Sequence, residues 1–280
     1  MDLTVFAAVI GAAFLHATWN VLVKANMDGF VALFLIHVLM GVIGVGMLLY
    51  SGFPVREAWP HAALSGVLHT GYNVLLARSY RHGEMSLVYP VARGAAPLVS
   101  LLLSLLIAGD AISMAEFAAL AILLAGLWCV ALGRTAHLPT DATTLMFAFA
   151  TAIFIGLYTV VDGMGARVAG DAFAYAALIY ALDGLFLLLA GLWMRGTLIL
   201  TLARPFLLRG ALGAVCSSLA YGLVIWAMTL APIGLVAGLR ETSILFVLAM
   251  SAVFLGEKMS PFRIAGGALI VAGAAGLRFV

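Results

Sequence analysis

Apolar residues fill this chain in long blocks, each closed by a short run rich in Gly, Pro, Asp, Arg or Ser. Inside a block the polar positions are few and recur about four residues apart, the spacing of one face of a helix rather than the alternation of a strand. A helix needs roughly 20 mostly apolar residues to cross the hydrocarbon of a bilayer. Ten blocks reach about that length: 3–24, 30–50, 59–80, 86–108, 112–133, 142–163, 171–194, 207–230, 233–255 and 261–279. The pattern predicts an all-α membrane protein of ten transmembrane helices.

Composition strengthens that picture. Of 280 residues, 65% are hydrophobic and 9% charged, and the mean hydropathy is +1.18, whereas a soluble domain carries about 25% charged residues. Connectors of at most about 15 residues leave no room for a nucleotide-binding or catalytic domain outside the membrane, which argues against an ATP-driven pump. The first block follows Met1-Asp2-Leu3 without a basic start and carries His16, Asn20 and Lys24, so it is expected to be retained rather than cleaved. The net charge of +2 comes from scattered basic residues and gives no case for a nucleic-acid partner. Cys129 and Cys216 lie inside apolar blocks and read as small hydrophobes, not as a disulfide or a metal site.

The chain also resembles itself. At an offset of 147, residues 86–132 lie over 233–279, matching Arg93 with Arg240, Ser104 with Ser251, Gly109 with Gly256, Ser113 with Ser260 and Gly126 with Gly273; Asp110 meets Glu257 in the same connector. Residues 1–137 and 138–280 then form two repeats of five spans each. An odd number of crossings turns the second copy over, so the two are inverted repeats about an axis in the membrane plane. Such a pair encloses a site at its interface, near the midplane, reached alternately from each side.

The Gly-Glu-Lys-Met-Ser-Pro turn at 256–261, the Gly/Ala-rich last block from Gly266 to Gly276 and the doubled five-span pattern resemble the EamA type of the drug/metabolite transporter superfamily. In addition, His16-Ala-Thr-Trp-Asn20 and Leu87-Val-Tyr-Pro-Val-Ala-Arg-Gly94 resemble, more weakly, a branch associated with phosphonate-utilisation genes. The resemblance implies secondary transport without ATP, with no cofactor, in the cytoplasmic membrane. Amino acids, sugar phosphates, nucleotide sugars and amphipathic drugs are all cargoes of that superfamily.

A charged side chain at membrane depth costs several kcal/mol, so each is a candidate for function. Arg93 and Arg240 stand first. They occupy equivalent positions of the two repeats, and two guanidiniums facing one cavity make a site for carboxylate, phosphate or phosphonate. Tyr89-Pro90 and Gly94 to Pro97 interrupt the span around Arg93, and Pro232, Gly234 and Gly238 do so before Arg240. Such interrupted spans mark carrier binding sites. The competing reading pairs Arg240 with Glu241, Asp162 or Asp183 as structural glue.

In the first block His16 and Asn20 share a helical face, with Trp19 beside them; His69 and Asn73 repeat the device in the third, next to Tyr72. Tyr158 and Asp162 do so in the sixth, although Asp162 lies near that block's end, where a solvated position competes with a site role. Trp19, Tyr89, Tyr221 and Trp226 are candidate aromatic walls, with belt anchoring as the alternative. Glu241, Asp162 and His16 are candidate proton carriers, protons being the candidate coupling ion. His37 and Asp183 read as lone polar residues in a structural bond or a wet pocket.

The chain holds no GxGxxG, Walker A, HExxH or CxxC motif, and its histidines do not cluster as metal ligands. Three readings follow: a carrier of a small anionic or zwitterionic metabolite such as an amino acid or phosphonate-like compound; an efflux carrier of hydrophobic cations with Glu241 or Asp162 as counter-ion; or an intramembrane enzyme or sensor, with Ser217 or Ser218 near His69. Direction of transport and oligomeric state stay open. Nine basic residues fall on one side and three on the other, which places both termini outside the cytoplasm. The family resemblance implies termini inside.

Overall fold

The computed structural model describes residues 1–23, 28–82, 85–132, 142–255 and 259–280, with side chains over 1–21, 28–75, 92–131, 146–253 and 259–280. Backbone polar groups in hydrocarbon must be satisfied within the segment, which makes a helix of every long apolar run. The helices are α1 (Leu3–Val23), α2 (Gly29–Ser51), α3 (Trp59–His82), α4 (Met85–Leu106), α5 (Met114–Leu132), α6 (Ala142–Ala169), α7 (Ala172–Arg195), α8 (Leu198–Ala203), α9 (Leu207–Leu230), α10 (Ile233–Arg240), α11 (Ser243–Leu255) and α12 (Pro261–Phe279). The structure is 90% helical, with no strand among the described residues.

Among the described residues eight segments are long and apolar enough to cross a membrane, α10 and α11 counting as one and α8 joining α9. The chain is therefore a polytopic all-α membrane protein. α3 is more polar, since it carries His61, His69, Asn73, Arg78 and Arg81, and the part of α4 whose side chains are described, Ala92–Leu106, is apolar. Outward-facing Leu49, Leu106, Trp193, Leu208 and Val253 present the apolar surface that lipid requires.

Two helices depart from the expected blocks. The sixth runs on to Ala169: Gly163-Met-Gly-Ala-Arg-Val-Ala holds no proline, and its two glycines, weak helix formers, give room to Ile233 and Tyr175. The ninth divides into α10 and α11 at Glu241-Thr242. Elsewhere polar residues mark the ends as they should: Asp28 accepts from the Phe30 and Val31 N–H groups at the start of α2, and Asp171 from Phe173 and Ala174 at the start of α7.

The packing pairs helices from the two halves of the chain. α2 lies along α7, α5 along α12, α1 along α9, and α3 along α6. Small residues set the closest approaches. A Cβ on Gly184 would sit 2.6 Å from the Gly41 Cα, and one on Gly273 would sit 2.5 Å from the Leu123 backbone nitrogen. Contact this close through glycine backbones is how helices associate where lipid removes the hydrophobic drive. Side chains of α1, α2, α3, α4, α6, α7, α9 and α10 enclose one cavity.

Candidate functional site

Arg240-Glu241-Thr242-Ser243 places four polar residues in the middle of an apolar run, and all four are buried. There the backbone tightens: the N–H groups of Glu241, Thr242, Ile244 and Leu245 each donate to the carbonyl three residues back, at 2.9–3.1 Å. The Thr242 hydroxyl donates to the Leu239 carbonyl at 2.8 Å, supplying the bond that the broken ladder loses. At the other end of α10, Asp110 from the α4–α5 connector accepts the Ile233 N–H at 2.7 Å. Its second oxygen takes Arg167 Nη1 at 2.7 Å, and Arg167 also donates to the Met228 and Ala231 carbonyls. α10 is thus anchored at its start and carries Arg240 and Glu241 at its end.

Glu241 is held by both arginines. Its Oε2 lies 3.0 Å from Arg93 Nη2 and its Oε1 3.8 Å from Arg240 Nε. The closer partner is Arg93, from the other half of the chain, and not the adjacent Arg240 that the structural-glue reading favours. At 3.8 Å the second contact is an ion pair without a hydrogen bond; Arg240 Nε is buried with no hydrogen-bond partner among the described residues. The three side chains carry a net charge of about +1, since arginine stays protonated. Arg93 Nη2 also lies 3.3 Å from His16 Nε2. A guanidinium only donates, so His16 accepts at Nε2 and is neutral with its proton on Nδ1.

A second cluster joins α3, α6 and α9. The His69 ring stacks on Tyr158 at 3.8 Å and meets Tyr221 edge-on at 5.7 Å. Its Nδ1 lies 3.1 Å from both the hydroxyl and the carbonyl of Ser65. Tyr72 meets Tyr158 edge-on at 5.9 Å. The Tyr221 hydroxyl donates to Asp162, which is fully buried. That overturns the solvated position expected for Asp162: because α6 continues to Ala169, the residue lies inside the helix and not at its end.

Arg93, Arg240, His16, Trp19, His69, Tyr72, Tyr158 and Tyr221 all line one cavity of about 80 Å³, so the structure brings together most of the residues singled out from sequence. Leu33, Met40, Ile179 and Val224 supply apolar wall. Trp19 meets the edge of His16 at 5.2 Å, and its Nε1 is buried with no partner among the described residues. Other candidates stand elsewhere. Asn20 donates to the His16 carbonyl at 2.7 Å and Asn73 to the His69 carbonyl at 2.9 Å, each bracing its own helix outside the lining. Glu241 lies behind the arginines and Asp162 behind Tyr221.

Trp226 is a correction: it lines a separate cleft with Arg167, Asp171, Phe173 and Thr229, because its direction from α9 points away from the cavity. The Tyr89 side chain, with Lys24 and Glu257, lies outside the described residues. Sequence reasoning missed His37 and Asp183 as a pair; they bond to one another across α2 and α7 and line the cavity. Their partnership spans 146 residues, and nothing local to either residue signals it.

Fold and cavity together define a polytopic α-helical membrane protein built around a small, charged chamber. Residues 142–279 match the EamA-like transporter family. The family is one of transporters of the drug/metabolite superfamily. A solved structure described only as "Crystal structure of protein" shares the fold over 99% of this chain and 96% of its own, with a TM-score of 0.73 and 20% identity. No curated protein matches the chain.

Proposed function

We propose that this protein is a secondary carrier of the cytoplasmic membrane that moves a small anionic or zwitterionic metabolite, such as an amino acid or a phosphonate-like compound, by alternating access. Arg93 and Arg240 hold its anionic group. The observation that carries the reading is the meeting of these two guanidiniums, 147 residues apart in sequence, on the wall of one cavity. Arg240 Nε, which has no hydrogen bond among the described residues, supports an incoming anion as its partner.

Ten crossings in two inverted repeats, 1–137 and 138–280, complete the proposal. α3 and α4, at 24 and 22 residues, are long enough to cross, and the polar side of α3 faces the cavity through His69 and Tyr72. The offset of 147 carries α5 onto α12 end for end and α4 onto the joined α10 and α11. The helix contacts also pair off as a two-fold axis requires: α1 with α9 answers α6 with α3, and α2 with α9 answers α7 with α3.

Size favours a small cargo. The cavity of about 80 Å³ has room for a few waters, whereas drug-sized ligands occupy roughly 300–1,000 Å³. Two arginines also repel a lipophilic cation.

Thermal melting of the purified protein tests the reading with L-serine, L-phenylalanine, methylphosphonate, inorganic phosphate and tetraphenylphosphonium. A ligand at about 100 times its Kd stabilises by about 2.7 kcal/mol. Stabilisation by an anionic or zwitterionic compound, lost in Arg93→Ala and Arg240→Ala, is the expected result. Stabilisation by tetraphenylphosphonium alone, or equal stabilisation of both variants by the anion, overturns it.

A further inference from the structure

The cavity wall holds one ion pair that the proposed cargo site does not use. His37 Nδ1 on α2 is bonded to Asp183 Oδ2 on α7, and both side chains line the cavity. Asp183 is 3% exposed, and its other oxygen, Oδ1, is buried without a hydrogen-bond partner among the described residues. A neutral imidazole beside a carboxylate carries a net charge of −1, which is costly at this depth. One proton added to the free ring nitrogen converts the pair to imidazolium and carboxylate, with no net charge.

We propose that His37 and Asp183 form the proton-binding site of the carrier, taking up and releasing one proton through the central cavity. The role in coupling rests on the transporter reading above. The other titratable candidates fit this task less well. Glu241 is already engaged by two guanidiniums, at 3.0 and 3.8 Å, and stands behind them rather than on the cavity wall. Asp162 is capped by the Tyr221 hydroxyl behind the wall. His16 accepts from Arg93, so a proton on its Nε2 would break that bond and add a third positive charge beside two arginines.

Position gives the pair its leverage. His37 lies one helical turn from Gly41, and Asp183 adjoins Gly184, at the crossing where the two backbones touch. The pair ties α2 to α7 at that crossing, so gain or loss of its proton changes the force holding two helices that belong to different repeats. The groups facing it are His69 on α3, Asp162 and Tyr158 on α6, Tyr180 on α7 itself and Tyr221 on α9, with Arg240, Arg93 and His16 farther around the wall. α8, which also touches α2 and α7, carries no titratable group.

Infrared difference spectra of the full-length protein in vesicles of phosphatidylethanolamine and phosphatidylglycerol, stepped between about pH 8 and pH 5, test this with the proton as the only ligand. The wild type is expected to show linked imidazole and carboxylate bands. His37→Gln and Asp183→Asn each remove them, Asp183→Glu shifts them while keeping the fold, and Glu241→Gln and Asp162→Asn leave them unchanged. Bands that survive Asp183→Asn, that vanish in Glu241→Gln or Asp162→Asn, or that are absent from the wild type overturn the assignment. Failure of the cargo reading is separate: it appears as no thermal stabilisation by the anionic panel, whatever the infrared result.

Discussion

Glu241→Gln isolates the charge at the broken helix, because glutamine keeps the shape and one acceptor oxygen while removing the carboxylate. With an effective dielectric of about 20, the contacts at 3.0 and 3.8 Å are worth roughly 5 and 4 kcal/mol of Coulomb attraction before desolvation is counted. Breaking a buried pair by neutralising one partner costs roughly 3–5 kcal/mol, since the guanidiniums stay buried without their counter-charge. The variant therefore melts several degrees below wild type in buffer free of multivalent anions. The same loss frees Arg93 and Arg240 for an external anion, which replaces the missing carboxylate. Inorganic phosphate is expected to recover most of the melting temperature and to bind at least about tenfold tighter than to wild type, a difference of about 1.4 kcal/mol. Melting curves across a phosphate titration, at fixed ionic strength, read both effects. Equal melting of variant and wild type without phosphate, together with equal stabilisation by it, refutes the idea that Glu241 neutralises a two-arginine anion site.

Three further outcomes follow from the geometry. Gly184→Ala places a methyl 2.6 Å from the Gly41 Cα and 2.8 Å from the His37 carbonyl, both backbone atoms that cannot swing away, so it lowers stability by about 1–3 kcal/mol; Gly46→Ala on α2 meets nothing within 4 Å and raises stability by up to about 1 kcal/mol through helix propensity. Asp110→Ala removes the acceptor for the Ile233 N–H and the partner of Arg167, each charge-assisted bond being worth about 1.5–3 kcal/mol, and hydrogen exchange then speeds up at the start of α10 while α12 is unaffected. Asp28, outside the spans, is pulled up by partial desolvation, but the Val31 N–H and Arg195 outweigh this and hold it below the usual aspartate range. A depressed carboxylate adds stability above its unfolded pKa and loses it as pH falls through the folded one, so wild type loses melting temperature below about pH 4 and Asp28→Asn does not share that step.

What could be read in advance was decided by cost. Hydrocarbon tolerates only closed backbone ladders, so the apolar blocks announced helices, and their ends agree with Asp28, Asp171 and Ser260 as caps. Charge at depth is just as expensive, which is why Arg93, Arg240 and His16 stood out and why they converge on one cavity. Features that depend on direction rather than cost were hidden. Trp226 is as apolar as Trp19, and only the rotation of α9 sends it to a different cleft. Asp162 looked terminal because hydropathy fades after it, although the helix itself does not end there.

The His37–Asp183 pair marks the deeper limit. Each residue, taken alone on its own helix, is a polar defect that favours no partner over another. Their match depends on α2 meeting α7, and that meeting is set by Gly41, Gly44 and Gly184. Close approach through glycine brings the two backbones near enough for a short aspartate to reach an imidazole on the facing helix. The small residues thus determine which charges can pair, so in this chain the packing glycines and the ionisable residues have to be read as one pattern.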